Sequence, residues 1–188
     1  MLYRYPGGLH HDPAQVCAEF MIKESDNTAE LMLKRYLGEE KIEAELHRIG
    51  ADSTRYWQPT NTTTPNDILL VLRKIADPSY TTQELSAEML DLMTNTSFEE
   101  RLPQPLPEGT RVAHKIGSYG DSFSDAGVVF MQGSQDTEAA YFIVVIATDT
   151  TEWTARSGIM DISLATYRLL GDQPHSSQTH QDSDISRR

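Results

Sequence analysis

Two short polar segments contain the side chains most suited to binding a substrate. Ser25-Asp26-Asn27 interrupts an otherwise helical run, and Lys115-Ile116-Gly117-Ser118 lies at the end of a strand-like stretch. A lysine in such a position can hold an anionic substrate, and a glycine beside it lets a ligand approach the backbone closely. Each segment also has a structural interpretation. Ser, Asp and Asn cap helices, and a lysine on an edge strand discourages unwanted sheet pairing.

The elements around these segments begin with a helical part of the chain. Apolar residues at helical spacing predict helices over 14–24, 28–37 and 39–49. Thr64-Pro65 marks the start of another helix, and Thr81-Thr82-Gln83-Glu84 opens the next one with a capping-box pattern. The triplet at Ser25 therefore separates the first two helices.

The second part of the chain has the pattern of a sheet. Three strands are predicted over 111–116, 126–132 and 140–148. The turns between them, from Gly117 to Asp125 and from Gly133 to Glu138, are short enough for antiparallel hairpins.

A final helix completes the predicted fold. It begins at Thr151-Glu152, and its apolar face contains Ile159, Ile162 and Leu169. Helices followed by an antiparallel sheet and a helix indicate an α+β fold. We divide the chain into an irregular lead-in over 1–13, one domain over 14–171 and a disordered tail over 172–188.

Composition excludes several classes of function. The chain has 188 residues, a net charge of −12 and no basic stripe, so we expect no nucleic-acid partner. No run approaches the roughly 18 apolar residues of a membrane span. The first residues do not have the pattern of a signal peptide. The single cysteine, Cys17, lies in an apolar helical pattern and is interpreted as a small core residue.

The six histidines do not form a metal-binding pattern. None has a histidine at helical i, i+4 spacing or a cysteine nearby. We therefore predict surface histidines, and we expect neither a metal nor a cofactor. They are His10, His11, His47, His114, His175 and His180.

The order of the segments resembles a known family. Ser25-Asp26-Asn27 follows a helix, Asn61-Thr62-Thr63-Thr64-Pro65 leads into another, Lys115-Ile116-Gly117 lies on a strand, and Asp125-Ala126-Gly127 opens the next strand. This arrangement is similar to the penicillin-recognising serine hydrolases, which comprise class A β-lactamases and cell-wall D,D-peptidases. The resemblance runs from about residue 16 to about residue 170. It implies a partial β-lactamase-like fold, with a helical region, a three-stranded antiparallel sheet and a C-terminal helix.

The resemblance assigns a role to each candidate residue. Ser25 would pass a proton to the leaving nitrogen, and Lys115 would lie beside its hydroxyl and attract the substrate carboxylate. Asn27 would hold the substrate amide, and the backbone N–H of Ser118, next to Gly117, would donate to the oxyanion. The implied partner is a small-molecule β-lactam or a peptidoglycan stem peptide. The implied location is the periplasm or the cell exterior.

Three departures from the family pattern bear on activity. No serine in the chain is followed by lysine three residues later, so the family's Ser-x-x-Lys nucleophile is not present in this sequence. The connection from Gly50 to Asn61 has no glutamate to activate a deacylating water, and its acid is Asp52. Ile116 stands where the family has a hydroxyl residue, for which Ser118 is a possible substitute.

These departures leave three hypotheses open. The chain is the C-terminal two-thirds of an acyl-transfer enzyme, inactive as written, or a non-catalytic peptidoglycan-binding protein. The third hypothesis is an enzyme whose nucleophile is Ser25 or Cys17, for which the sequence suggests no basic partner. In either of the first two cases, the strand containing Tyr141 to Ile146 is expected to have an exposed edge and to lower solubility.

Overall fold

The computed structural model describes residues 12–56, 61–131 and 140–171. Within these ranges the order of elements is the predicted one, five helices, three strands and a helix. Nearly all of the predicted lead-in and all of the predicted tail lie outside the described residues. The elements are α1 (Pro13–Lys23), α2 (Asn27–Leu37), α3 (Glu39–Arg48), α4 (Pro65–Ile75), α5 (Gln83–Leu92), β1 (Val112–Tyr119), β2 (Ser122–Phe130), β3 (Ala140–Ala147) and α6 (Glu152–Gly171).

Side-chain caps fix where several of the helices begin. The carboxylate of Asp26 accepts the amide hydrogen three residues on at 2.8 Å, which starts α2 directly after the polar break. Thr64 caps α4 in the same way, with Pro65 as its first residue. In α5 the cap is Thr82 rather than Thr81, one residue later than the predicted capping box implies.

The three strands form one antiparallel sheet in the order β1-β2-β3. The predicted turn from Gly117 to Asp125 is wrong in extent, because only Gly120 and Asp121 lie between the strands. Gly120 has φ of +60°, as a two-residue turn with glycine first requires. Consequently Lys115 lies in the middle of β1, and Asp125 lies inside β2 rather than at its start.

The sheet is covered on both faces, and each face has its own apolar core. On one face α6 packs against β2 and β3, and on the other α4 packs against the same strands. The α6 side contains Leu102, Leu106, Val112, Val129, Ile143 and Ile159. The α4 side contains Leu72, Met93, Ala113 and Val128.

The buried face of α6 differs from the predicted one. Ile159 is buried, but Ile162 and Leu169 are exposed. The residues that face the sheet are instead Ala155, Ile159 and Ser163, spaced four apart. Ser163 is small enough to lie against the backbone, and its hydroxyl donates to the carbonyl of Leu102 at 2.7 Å. Hydrophobicity alone predicted the wrong buried face of α6. Ser163 is polar, and it can be buried because its hydroxyl is hydrogen-bonded to a carbonyl.

No helix in the described part of the chain is long and apolar enough to cross a membrane.

Candidate active site

The structure brings the two predicted catalytic residues into direct contact. Ser25 precedes α2 and Lys115 lies on β1, yet the Lys115 Nζ atom is 2.7 Å from the Ser25 Oγ atom. The same amine donates to the carbonyl of Ile116 at 2.8 Å. Residues ninety positions apart in the sequence therefore share one hydrogen bond at the edge of the sheet.

The backbone holds Ser25 in a conformation that few non-glycine residues adopt. Its φ is +52°, in the left-handed region. It is bounded on one side by the end of α1 and on the other by Asp26, the cap of α2. Strained residues of this kind persist where the surrounding structure enforces them, and they occur often at functional sites.

The positive charge of Lys115 is only partly balanced by neighbouring negative charges. It is partly buried and forms no ion pair with any residue in the described ranges. Burial lowers the pKa of its amine below the usual value for lysine, the charge of Asp125 opposes this change, and Arg101 reinforces it. A larger fraction of the Lys115 amine is therefore neutral at a given pH than at a surface lysine.

Arg101 is a site residue that the sequence did not reveal. Its side chain is 2% exposed. Nη1 donates to the carbonyls of Gly117 at 2.9 Å and Ser124 at 2.6 Å, and Nη2 donates to the Ser118 hydroxyl at 2.7 Å. The guanidinium thus joins β1 to β2 directly beside Lys115. Its position in the connection between α5 and β1, just before Pro103, gave no sign of this role.

Gly117 and Ser118 form the exposed end of this edge. A Cβ at Gly117 would lie 2.6 Å from the Ser124 Oγ atom, so a side chain there would displace the neighbouring strand's hydroxyl. Ser118 is exposed. Its hydroxyl accepts a bond from Arg101 and retains its own hydrogen to donate to a ligand.

Asn27 is the first residue of α2, and its side chain is exposed. The side chain of Asn27 makes no hydrogen bond to any residue in the described ranges. Its predicted role in holding a substrate amide stays a prediction.

The predicted surface position of His114 is wrong. The residue is completely buried, with Nδ1 2.9 Å from an Asp125 oxygen and Nε2 3.3 Å from a Glu99 oxygen. Burial alone would lower its pKa, but hydrogen bonds and charges from Asp125 and Glu99 outweigh that effect and raise it. His114 lies next to Lys115 in β1, so the cluster packs behind the site. The alternation of side chains along a strand predicts that His114 and Lys115 lie on opposite faces of the sheet. It does not predict that two carboxylates lie beside His114.

A cavity of about 300 Å³ adjoins Lys115 between α4 and the sheet. Its walls are mostly aliphatic, and Lys115, Thr63 and Ser124 supply polar groups. Thr63 belongs to the connection before α4, where the Thr54 hydroxyl binds both the Thr63 hydroxyl and the buried carboxylate of Asp67. Small-molecule sites have this combination of apolar walls and few polar groups.

Two other predicted features are located away from the site. Asp52 is exposed and hydrogen-bonded to His47 at 2.6 Å. Cys17 lies on α1 and is only partly buried. No group of three metal-binding side chains is found among the residues that the structure describes.

An α+β domain with a Ser-Asp-Asn break facing a strand lysine is the arrangement of β-lactamase-like proteins. Residues 7–170 match the profile of the Beta-lactamase enzyme family, and the chain belongs to that family.

Solved structures agree with this assignment. The chain is 28% identical to PBP-A, with a TM-score of 0.78, over 85% of this chain and 62% of PBP-A. A PBP-A mutant determined as an acyl-enzyme complex with penicillin G is 27% identical, with a TM-score of 0.79, over 91% of this chain and 66% of the other. A β-lactamase from Chitinophaga pinensis DSM 2588 is 24% identical, with a TM-score of 0.74 over 82% and 64%, and shares the fold. The chain thus spans less than two thirds of the length of these structures. No curated protein matches it significantly.

Proposed function

We propose that the chain binds carboxylate-bearing acyl compounds, either β-lactams or the D-Ala-terminated stem peptide of peptidoglycan, at the Ser25–Lys115 site. The observation that carries this proposal is the Lys115 amine, which has a hydroxyl and a carbonyl as partners but no carboxylate in the described ranges. An anionic ligand would supply the missing counter-charge at a partly desolvated cation. The acyl-enzyme of the PBP-A mutant contains penicillin G, which supports the choice of that ligand.

The edge of β1 supports the same orientation of the ligand. Gly117 and Ser118 lie two and three residues beyond Lys115, on the strand edge that no other described strand pairs. An extended acyl-peptide could add to this edge through backbone hydrogen bonds, with its carboxylate toward Lys115. Ser118 would then replace the hydroxyl that Ile116 lacks.

Hydrolysis by the family's usual route is a separate question. These 188 residues contain no Ser-x-x-Lys, and the connection from Gly50 to Asn61 contains no glutamate. We propose that the chain by itself is a binding protein rather than an efficient hydrolase. A cell-wall D,D-peptidase relative is favoured over a resistance enzyme, because rapid deacylation is the step for which no residue is supplied.

Binding is tested with a matched pair of unreactive ligands. An N-acylated D-Ala-D-Ala dipeptide and its C-terminal amide are titrated into the ¹⁵N-labelled chain and followed by NMR. We expect the free acid to shift the amides of Lys115, Gly117 and Ser118 and to bind about tenfold more tightly than the amide, which is about 1.4 kcal/mol.

Two variants complete the test. Lys115→Met should abolish the preference for the acid. Lys41→Met, which changes a lysine in the separate apolar cavity between α3 and α4, should preserve it. Equal affinity for acid and amide, or no shifts at β1, would refute the proposal.

A further inference from the structure

We propose that the chain forms a two-fold symmetric dimer, in which the outer edge of β3 pairs with the same edge of a second copy. This interface lies at the opposite edge of the sheet from β1, which carries Lys115. The inference therefore does not depend on the proposed function, and its failure would leave ligand binding at the Ser25–Lys115 site untouched.

The two outer edges of the sheet differ in how far they are covered. On β1, the His114 amide hydrogen is donated to the Met93 carbonyl at 2.8 Å, and the Lys115 amine donates to the Ile116 carbonyl at 2.8 Å. On β3, no described strand pairs with the outer side. The strand contains no charged residue and no proline, and it pairs with β2 without a bulge. It thus lacks the features that usually discourage pairing at an exposed edge.

Hydrogen bonds around β2 establish which backbone groups of β3 point outward. The Phe130 amide hydrogen is donated to the Arg111 carbonyl at 3.0 Å, on the β1 side. Because successive residues of a strand direct their backbone groups to opposite sides, Val129 points towards β3. The register pairs Val129 with Tyr141, so Tyr141 and every second residue after it bond to β2. The outward-directed residues are the other four, Ala140, Phe142, Val144 and Ile146.

One antiparallel register uses all four outward-directed residues. A two-fold axis through Ile143 places Phe142 opposite Val144 of the second copy, and Ala140 opposite Ile146 of the second copy. Each such pair exchanges two hydrogen bonds, which gives about eight across the interface. Moving the axis to Val144 would leave Ala140 without a partner in β3. The edge is therefore complementary to itself, and this favours a second copy over an unrelated strand.

The side chains that meet in this register are apolar on both faces of the sheet. Under α4, Phe142 meets Val144 of the second copy. Under α6, Tyr141 meets Val145 of the second copy, and Ile143 meets its own copy on the axis. Pairs of aromatic and β-branched side chains stabilise neighbouring strands. Dimerisation would thus join each apolar core to its copy across the axis.

The symmetry keeps the two candidate active sites apart. An axis perpendicular to the sheet leaves both α4 helices on one face and both α6 helices on the other. The six strands then follow the order β1-β2-β3-β3-β2-β1. Because neighbouring strands lie about 4.8 Å apart, the two β1 strands lie about 24 Å apart at the outer edges. Each β1 edge remains open to a ligand.

The charge of the chain predicts how the association depends on salt. Each copy has a net charge of −12, so two copies repel each other, whereas β3 adds no charge at the interface. Raising the salt concentration from about 50 to about 500 mM screens this repulsion and should tighten the dimer. A positively charged partner protein would instead bind more weakly at high salt.

Analytical ultracentrifugation of the full chain measures the association. We expect a monomer–dimer equilibrium with a dissociation constant on the order of 1–100 μM, since one pair of strands forms a small interface. Assembly should stop at the dimer, because the symmetric pairing occupies the β3 edge of both copies. A chain that stays monomeric up to about 1 mM, or a dimer that weakens as salt rises, would overturn the proposal.

Hydrogen exchange followed by NMR tests the pairing without a variant. The amide hydrogens of Phe142, Val144 and Ile146 should be protected only in the dimer. Those of Ile143 and Val145 are bonded to β2 and should be protected at every protein concentration. At a total concentration about a hundredfold above the dissociation constant, only about 7% of the chains are monomeric, so exchange of the outward amides should slow more than about tenfold. Exchange of these amides that does not depend on concentration would refute the pairing.

A matched pair of proline variants separates association from folding. Val144→Pro removes an outward amide hydrogen, and proline is tolerated at such positions of an edge strand. Losing this hydrogen bond in both copies should raise the dimer dissociation constant at least about hundredfold, with the chain still folded by circular dichroism. Val145→Pro removes an amide hydrogen that bonds to β2 and should lower the melting temperature of the chain itself. If Val144→Pro dimerises like the parent, β3 is not the interface.

Cysteine cross-linking tests the register in a Cys17→Ser background. Ile143→Cys places two thiols on the axis, where the Cα atoms are about 4.5 Å apart, within the range of a disulfide. Val145→Cys is the control, because it lies opposite Tyr141 and about 13 Å along the strand from its own copy. We expect mild oxidation to cross-link Ile143→Cys alone. Efficient cross-linking of Val145→Cys, or of neither variant in a dimeric chain, would overturn the proposed pairing.

Discussion

His114 and Asp125 lie on adjacent strands, are both completely buried, and share a hydrogen bond of 2.9 Å. Asp125 also accepts the backbone amide hydrogen of Leu102, and Glu99 approaches the other imidazole nitrogen. Two carboxylates on one imidazole favour the doubly protonated ring, since both nitrogens can then donate. The cluster thus fastens β1, β2 and the segment before β1 directly behind the candidate site.

The first prediction concerns the pH dependence of stability. The pKa of His114 is raised in the folded protein above its ordinary value of 6.5. A raised folded pKa gives a stabilisation that is complete below the unfolded pKa and is lost as pH rises through the folded pKa. We therefore expect the free energy of unfolding of the parent to exceed that of His114→Gln most at and below about pH 6, with the difference shrinking as the pH rises through the raised pKa of His114.

Urea denaturation of both proteins across that pH range measures this difference. Comparison between variants cancels the titration of groups that the two proteins share. A difference that grows with pH would show that the imidazole is buried in its neutral form.

The second prediction concerns the guanidinium of Arg101. Arg101→Lys keeps the positive charge but removes the planar fork that reaches Gly117, Ser118 and Ser124. Leaving partly buried acceptors without donors should cost about 1–3 kcal/mol. Arg111→Lys is the control, because Arg111 is about half exposed and its ion pair with Asp91 is 4.0 Å long.

The measurement for Arg101 is chemical denaturation, combined with the dipeptide titration at the candidate site. We expect Arg101→Lys to weaken binding of the dipeptide acid and to lower the free energy of unfolding, because the end of β1 loses its hydrogen bonds from the guanidinium. If the two lysine variants destabilise the chain equally, Arg101 does not brace the sheet.

The third prediction tests how closely β1 and β2 pack. A Cβ at Gly127 would lie 2.4 Å from the carbonyl oxygen of Ala113 and 2.7 Å from the Cβ of His114. Both obstacles are parts of a strand that cannot move away, so Gly127→Ala should cost about 1–3 kcal/mol. Gly158→Ala in α6 meets nothing within 4 Å and should stabilise by about 0.5–1 kcal/mol.

Thermal melts of the two glycine variants give opposite signs under this prediction. If Gly127→Ala leaves the melting temperature unchanged, the two strands separate easily. The buried cluster of His114, Asp125 and Glu99 behind Lys115 would then be less tightly packed than the structure describes.

Much of the fold was predictable because it depends on local patterns. The helix starts at Asp26 and Thr64 follow from capping chemistry, and the strands follow from alternating apolar residues. The hairpin between β1 and β2 was predicted, but its turn was predicted too long, because Ser122 and Ser124 lack strand propensity and gain their pairing from β1. Local sequence does not report such tertiary stabilisation.

The site was predictable only in part. Ser25 and Lys115 were identified by family resemblance, and the structure adds their contact distance. Arg101 and Glu99 were not identified, and His114 was wrongly placed on the surface, because their roles depend on buried charge compensation between distant segments. An isolated charged residue in a sequence does not indicate which distant partners will compensate its charge when it is buried.

The last prediction joins stability to ligand binding through the cap of α2. Asp26→Ala removes the carboxylate that accepts the Ala29 amide hydrogen and should cost about 1 kcal/mol. It should also relax the left-handed backbone of Ser25 and weaken binding of the N-acylated dipeptide acid at the Ser25–Lys115 site. Thr82→Ala is the matched control, since it removes a side-chain cap from α5, away from Ser25. Equal losses of stability with weaker dipeptide binding only for Asp26→Ala would attribute the effect to the position of Ser25, whereas equal dipeptide affinities would show that the cap does not position the serine.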